Sequence, residues 1–199
     1  MDKGKLIVLS GPSGAGKGTV AAMLLEKRND TCFSVSVTTR KPRPGEVNGR
    51  EYFFVELDEF DSMVRNNELL EHAEYVANNY GTPRKYVENK LAEGINVLLD
   101  VEVNGARQIK ELMPDAVFVF CAPPSLEELK KRLVNRGTES DRAIEARLIR
   151  ARQEFQEADF YNYIVINDDV ETCCDELSSI ITAERCRFSN RKQILETEN

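Results

Sequence analysis

The stretch Leu6-Ile7-Val8-Leu9-Ser10-Gly11-Pro12-Ser13-Gly14-Ala15-Gly16-Lys17-Gly18-Thr19 decides how this chain is read. An apolar run, Leu6–Leu9, passes directly into a glycine-rich turn, and an apolar-periodic stretch, Val20–Leu25, follows. Strand, turn and helix in that order make a cradle for a polyphosphate. Glycines let the backbone wrap close, successive N–H groups point inward, and the helix N-terminus adds partial positive charge. Lys17 brings a full charge for the β- and γ-phosphates. The spacing G-x4-G-K alone also fits an ordinary glycine-rich turn, and its placement between an apolar strand and a helix is what favours phosphate. Residues 11–19 are therefore the expected nucleoside triphosphate site.

One position departs from that pattern. A Ser or Thr is expected after the lysine, to bind Mg²⁺ through its hydroxyl, and this chain has Gly18. No direct protein ligand to the metal is expected from the loop; it is held through water and nucleotide phosphates, or by carboxylates elsewhere, and Thr19 is left for the α-phosphate. That arrangement suits small nucleotide kinases better than switch GTPases.

At 199 residues the chain fits one substantial domain with small mobile inserts, large enough to bury about 70% of its unfolded surface. Hydrophobic residues make up 41% and charged residues 31%, a globular, water-soluble balance. No apolar run approaches membrane-spanning length and the N-terminus carries no signal-like stretch, so no membrane partner and a cytoplasmic location are expected. Cys32, Cys121, Cys173, Cys174 and Cys186 are odd in number and lack C-x-x-C spacing, which points to core packing in a reducing compartment. A net charge of −7 argues against nucleic acid as a partner. A homo-oligomer is left open.

Apolar runs at 6–9, 95–99, 116–121 and 163–166 alternate with helix-period stretches at 17–28, 102–113, 125–135, 141–158 and 170–187. Continuous apolar strands separated by helices imply an α/β fold with a parallel sheet covered on both faces. Two segments break the rhythm. Residues 34–81 hold short alternating segments (Phe33–Val37 at the edge, Tyr52–Val55), turn residues, and a short helix near Leu57–Asn66, and read as an inserted small α+β subdomain. Residues 125–155 read as two arginine-rich helices joined through Gly137. The core is then 1–33, 82–124 and 156–199.

The insert carries Arg40, Lys41, Arg43, Arg50 and Tyr52 within thirteen residues, stiffened by Pro42 and Pro44. Arginine forks match phosphate oxygens bidentately, and a stiff loop loses less entropy on ordering. A solvated basic hairpin is the plainer alternative. His72, the sole histidine, has no ligand-spaced partner and reads as structural.

The phosphate loop, S-V-S-V-T-T-R-K-P-R-P-G-E-V-N-G-R-E-Y-F-F-V at 34–55, L-L-E-H-A-E at 69–74, N-Y-G-T at 79–82, L-L-D-V-E at 98–102, A-P-P-S at 122–125, R-G-T-E-S at 136–140 and I-V-I-N-D-D at 164–169 together resemble the guanylate kinase family over about residues 4–187. The resemblance implies a three-layer P-loop kinase core, a GMP-binding insert and a helical lid. It also implies that ATP, with Mg²⁺, donates a phosphoryl group to GMP, with dGMP as a further acceptor. Carried over by position, Arg40, Arg43, Tyr52 and Tyr80 would hold the GMP phosphate, while Ser36, Glu71 and Thr82 would read guanine. Arg132, Arg136 and Arg147 match the lid arginines, and Asn167 would lie near the donor base. Arg142, Arg150 and Arg152 are left as surface residues.

The chemistry of guanine agrees with those assignments. Its adjacent N1–H and N2–H donors suit one carboxylate, and its O6 suits a hydroxyl donor. Adenine presents an acceptor at N1, which a carboxylate at Glu71 would reject. Asp100 ends the apolar strand 95–99, at the sheet edge where ligands gather, and by the resemblance is expected near GMP or the waters of Mg²⁺, although a helix N-cap would serve there too. Glu102 stands where the family usually carries aspartate, and is expected near guanine or magnesium. No general base is required, because the attacking phosphate oxygen is already anionic. Lys17, Arg43, Arg136 and Arg147 are the expected catalytic cations. Two rivals remain: a non-catalytic guanylate-kinase-like module gripping a phosphorylated peptide, and an adenylate kinase.

Overall fold

The protein's structure, a computed structural model, describes residues 3–75, 77–135, 140–192 and 195. In chain order its strands are β1 (Leu6–Ser10), β2 (Thr31–Phe33), β3 (Ser36–Thr38), β4 (Tyr52–Phe54), β5 (Leu69–Tyr75), β6 (Asn78–Pro83), β7 (Asn96–Asp100), β8 (Val117–Ala122) and β9 (Tyr163–Ile166). The helices are α1 (Lys17–Lys27), α2 (Leu57–Arg65), α3 (Arg84–Ala92), α4 (Val103–Leu112), α5 (Leu126–Asn135), α6 (Asp141–Gln156), α7 (Val170–Arg185) and the short α8 (Phe188–Arg191).

Five strands form a parallel sheet in the order β2-β7-β1-β8-β9. Successive side chains of a strand point to opposite faces. In β1, Ile7 and Leu9 pack with Val20 and Leu24 of α1 and Leu177 and Ile181 of α7, whereas Leu6 and Val8 pack with Val87 of α3 and Ala106 and Ile109 of α4. Both faces are covered, which is why β1 reads as an unbroken apolar run rather than an alternating one. The result is the three-layer α/β core expected from the sequence.

The order of strands also locates the cleft. The chain adds β2 and β7 on one side of β1 and β8 and β9 on the other, so connections diverge at the carboxyl end of β1. Leu9 pairs with Asp100 in the β1–β7 ladder. Asp100 is thereby placed beside the first turn of the glycine-rich loop.

A second, mixed sheet has the order β4-β3-β6-β5, with β3 and β4 parallel and the other pairs antiparallel. Phe60 of α2 closes it from one side with Val37, Leu69 and Phe53. Thr31–Phe33 belongs to the large sheet and Ser36–Thr38 to the small one, so the apolar stretch around Phe33 is divided between them. The hairpin of β5 and β6 and the helix α3 were not legible in the periodicity, because Glu71, His72, Glu74, Asn78 and Asn79 are poor strand formers. The arginine-rich segment does fold as two helices, joined in the small core of Leu129, Leu133, Ile144 and Ala151. Ser140 and Asp169 cap α6 and α7 with their side-chain oxygens. Among the described residues no helix is long and apolar enough to cross a membrane. The cysteines are free: Cys121, Cys173 and Cys174 are buried in the core and Cys186 is exposed.

Candidate active site

The glycine-rich loop is tightly enclosed. Gly11 and Gly16 have φ of 141° and 89°, in the region that side chains other than glycine rarely adopt. A Cβ on Gly11 would stand 2.2 Å from the Cys121 carbonyl oxygen, and one on Gly16 would stand 2.3 Å from Asn167 Nδ2. Asn167 is 2% exposed and donates from Nδ2 to the Ala15 carbonyl at 2.7 Å. The loop is therefore held from beneath by the residue that follows β9, while Leu129 and Leu133 of α5 abut it at Gly14. Helix α1 begins at Lys17 with no side chain capping its first turn. Its leading N–H groups and the dipole make an anion site.

Lys17 crosses the loop, donating to the Gly11 carbonyl at 2.6 Å and lying 3.8 Å from Asp100 Oδ1. Burial pushes the Asp100 carboxyl up from its ordinary range and the Lys17 ammonium pulls it back down. Asp100 is not the cap of α4; Glu102 holds that position.

Helix α6 supplies the facing wall. Arg147 donates from Nη1 to Ser13 Oγ in the loop. Arg150, three residues on and so on the same helix face, donates from Nη2 to Glu102 Oε2 at 2.8 Å and from Nε to Glu154 Oε1 at 3.1 Å. With Gly11, Lys17, Tyr75 and Ser13 these residues line a cleft of about 410 Å³. Burial pushes the Glu154 carboxyl up, opposed by Arg150 and Lys17. Arg150 is exposed, as the sequence reading had it, and adds an ion pair across the cleft. Arg142 and Arg152 are exposed as well; Arg150 reaches across the cleft to Glu102, while Glu154 lies one turn away on its own helix. The 147–150–154 spacing on one helix was the available signal for both. Arg132 pairs with Glu128 of its own helix at 3.3 Å. Arg136 lies outside the described residues.

The small sheet gathers a second group. Thr82, 1% exposed, donates from Oγ1 to Glu71 Oε1 at 2.7 Å. Burial raises the Glu71 pKa, the Thr82 bond lowers it, and the charge of Glu102 raises it again. The Arg40 guanidinium forks onto Glu46 at 2.9 and 3.0 Å and lies 5.3 Å from the Tyr52 ring centroid. Tyr52 and Tyr80 stand edge to face at 6.0 Å, and Ser36 pairs with Tyr52 in the β3–β4 ladder. Arg43 is exposed on the turn, its N–H donating to Glu46 Oε2 at 2.7 Å. Arg40 and the Arg43 N–H hold the Glu46 carboxyl below its usual range. His72 is exposed and its ring meets Phe60 edge-on, consistent with a structural place.

Two cationic centres, one built on a glycine-rich loop and one on a small inserted sheet, thus occupy one chain. The guanylate kinase family model matches residues 3–184. The chain belongs to the guanylate kinase family. Its members are ATP:GMP phosphotransferases, and the chain is a kinase of that type. A curated guanylate kinase of Lactobacillus johnsonii is 54% identical over 186 residues, covering 93% of this chain and 91% of the relative. One of Bacillus subtilis strain 168 is 53% identical over 203 residues, covering 99% of both. The crystal structure of guanylate kinase from Anaplasma phagocytophilum superposes with a TM-score of 0.76 at 36% identity, covering 100% of this chain and 96% of that one.

Proposed function

We propose that the chain transfers the γ-phosphoryl group of ATP to GMP, with dGMP as a further acceptor, giving ADP and GDP or dGDP. The loop 11–19 serves as donor site and the small sheet as acceptor site. The Glu71–Thr82 pair carries the reading. A half-buried carboxylate accepting from a buried hydroxyl suits the adjacent N1–H and N2–H donors of guanine, while an N1 acceptor, as in adenine, would leave the carboxylate unpaired. Ser36 adds a second hydroxyl beside the base, and Arg40, Arg43, Tyr52 and Tyr80 receive the acceptor phosphate.

Donor and acceptor are both anions, so catalysis is positioning and charge neutralisation in a cleft closed to water. Lys17 and Arg147 neutralise the phosphoryl group in transfer, with Arg136 and Arg132 contributing from the lid, and Arg40 and Arg43 orient the acceptor in line. Asn167 Oδ1, buried and without a hydrogen-bond partner among the described residues, offers an acceptor to the donor base. Asp100, beside Lys17, and Glu102 would act as outer carboxylates toward Mg²⁺ carried on nucleotide phosphates and water, and the ion would supply further neutralisation of phosphate charge. Functionally the chain divides into a core (1–33, 82–124, 156–199), an acceptor insert (34–81) and a lid (125–155). Closure of insert and lid excludes water, which otherwise would take the phosphoryl group. The buried free thiols fit a cytoplasmic enzyme.

A coupled assay of ADP formation with GMP, AMP and UMP tests the reading. Turnover confined to GMP is expected. Preference for AMP would make the chain an adenylate kinase, and silence with all three would make it a phosphopeptide-binding module.

A further inference from the structure

Strand β5 is the edge of the small sheet, since the order ends β6-β5. It carries Glu71, and its pairing with β6 is irregular at that point. Leu69 pairs with Pro83 and His72 with Gly81, so three steps along β5 match two along β6. The extra residue is a bulge between Leu69 and His72, the device by which a strand re-aims a side chain. A bulged edge strand has fewer ladder bonds to hold it, and its outward-facing peptide groups need partners from elsewhere.

Helix α4 of the large domain supplies them. Gln108 Oε1 accepts from the His72 N–H at 3.1 Å, and Gln108 Nε2 donates to the His72 carbonyl at 3.2 Å. One side-chain amide thus completes the edge as a neighbouring strand would, at the residue after Glu71. Three residues earlier, on the same face of α4, stands Gly105. It is buried within the helix, where glycine is the least favoured residue after proline. A Cβ there would lie 3.2 Å from Glu71 Oε2 and 3.4 Å from Val101 Cβ. Thr82 holds the other carboxylate oxygen, Oε1. The carboxylate is thus fixed on one side by a hydroxyl and given room on the other by a missing methyl group.

We propose that Gln108 and Gly105 are positioning residues for base selection, the first locking the bulged edge strand to α4 and the second clearing the space that Glu71 occupies. The proposal rests on the reading of Glu71 as the guanine-binding carboxylate. Both act through Glu71, and the effect belongs to the acceptor and not to ATP.

The test measures KM for GMP and for ATP, and the ratio of kcat/KM for GMP over IMP, in Gln108→Ala, Gly105→Ala and Glu71→Gln. IMP lacks the N2 amino group, so a displaced carboxylate costs GMP more than IMP. Both α4 variants are expected to raise KM for GMP by roughly fivefold or more and to lower the GMP/IMP ratio by a similar factor, the scale of one or two misplaced hydrogen bonds. KM for ATP stays within about twofold, the scale of scatter for a site with no altered contact. If Glu71→Gln abolishes GMP preference while both α4 variants keep the parent values, the positioning role is wrong and the base reading survives. Equal losses for ATP and GMP in the α4 variants would mark general structural damage and also overturn the role. An unchanged Glu71→Gln would overturn the base reading and the positioning role together.

Discussion

Gly16 and Gly18 stand two residues apart, the first at the end of the glycine-rich loop and the second inside α1, and replacing each with alanine should shift stability in opposite directions. At Gly16 the backbone has φ of 89°, a conformation that costs an L-residue about 1–2 kcal/mol. The new Cβ would also sit 2.3 Å from Asn167 Nδ2. Relief of that overlap moves the Asn167 amide away from the Ala15 carbonyl it holds at 2.7 Å, and losing a buried hydrogen bond costs roughly 1–3 kcal/mol. Together Gly16→Ala should destabilise by about 2–5 kcal/mol, a large share of the ~5–15 kcal/mol of a typical domain. At Gly18 a Cβ meets nothing within 4 Å and the residue lies inside α1. Gly18→Ala should therefore stabilise by up to about 1 kcal/mol. Equilibrium unfolding in urea gives both differences, and calorimetric titration with ATP reports whether the loop still binds phosphate. Affinity should be lost in the first variant and kept in the second. A Gly16→Ala protein within about 0.5 kcal/mol of its parent, the range of ordinary surface changes, and binding ATP normally would refute this account of the loop.

Two further predictions concern the cleft and the opposite end of the sheet. Arg147→Met and Arg43→Met should each fold normally and lower kcat by roughly 10² or more, since arginines that neutralise a phosphoryl group supply large transition-state terms; steady-state turnover near the parent value in either variant would remove that residue from the mechanism. Asp30 is bonded by Arg28 at 2.9 and 2.8 Å and by Arg185 at 2.6 Å, and the Arg28 hydrogen bond first of all depresses its carboxyl below the ordinary 3.8. A depressed carboxyl stabilises above its unfolded pKa and loses that contribution as pH falls through its folded pKa. Asp30→Asn should therefore melt lower than the parent at pH 7, with the gap closing as pH drops below 3.8; a gap independent of pH would show that the ion pairs add nothing.

Local patterns carried the N-terminal unit of this molecule unaided. β1, the loop and α1 were readable because a glycine-rich phosphate cradle is a contiguous device: its backbone conformation, its charge and its helix dipole all come from neighbouring residues. The both-sided burial of β1, β7 and β8 was readable because runs such as Leu6–Leu9 and Val117–Cys121 stay apolar without alternation, whereas the equally apolar run of edge strand β9 leaves Ile164 and Ile166 exposed. The block at 34–55 was likewise informative because its arginines, prolines and tyrosine lie close in sequence.

Periodicity failed at β5 and β6, where Glu71, Asn78, Asn79 and Gly81 are poor strand formers. The chain order likewise concealed which charges meet. Arg150 and Glu102 are 48 residues apart and pair at 2.8 Å, and the helix spacing that puts Arg150 beside Arg147 says nothing of what lies opposite. Asp100 faces Lys17 because Leu9 is in register with Asp100 in neighbouring parallel strands. Residue types and local spacing therefore determined the chemistry this chain carries, since those follow from short-range backbone geometry. Which carboxylate meets which cation, how deeply Glu71 is buried, and that a glycine on a distant helix makes room for it were decided by packing, because close contact between remote segments arises only when the two sheets and their helices come together.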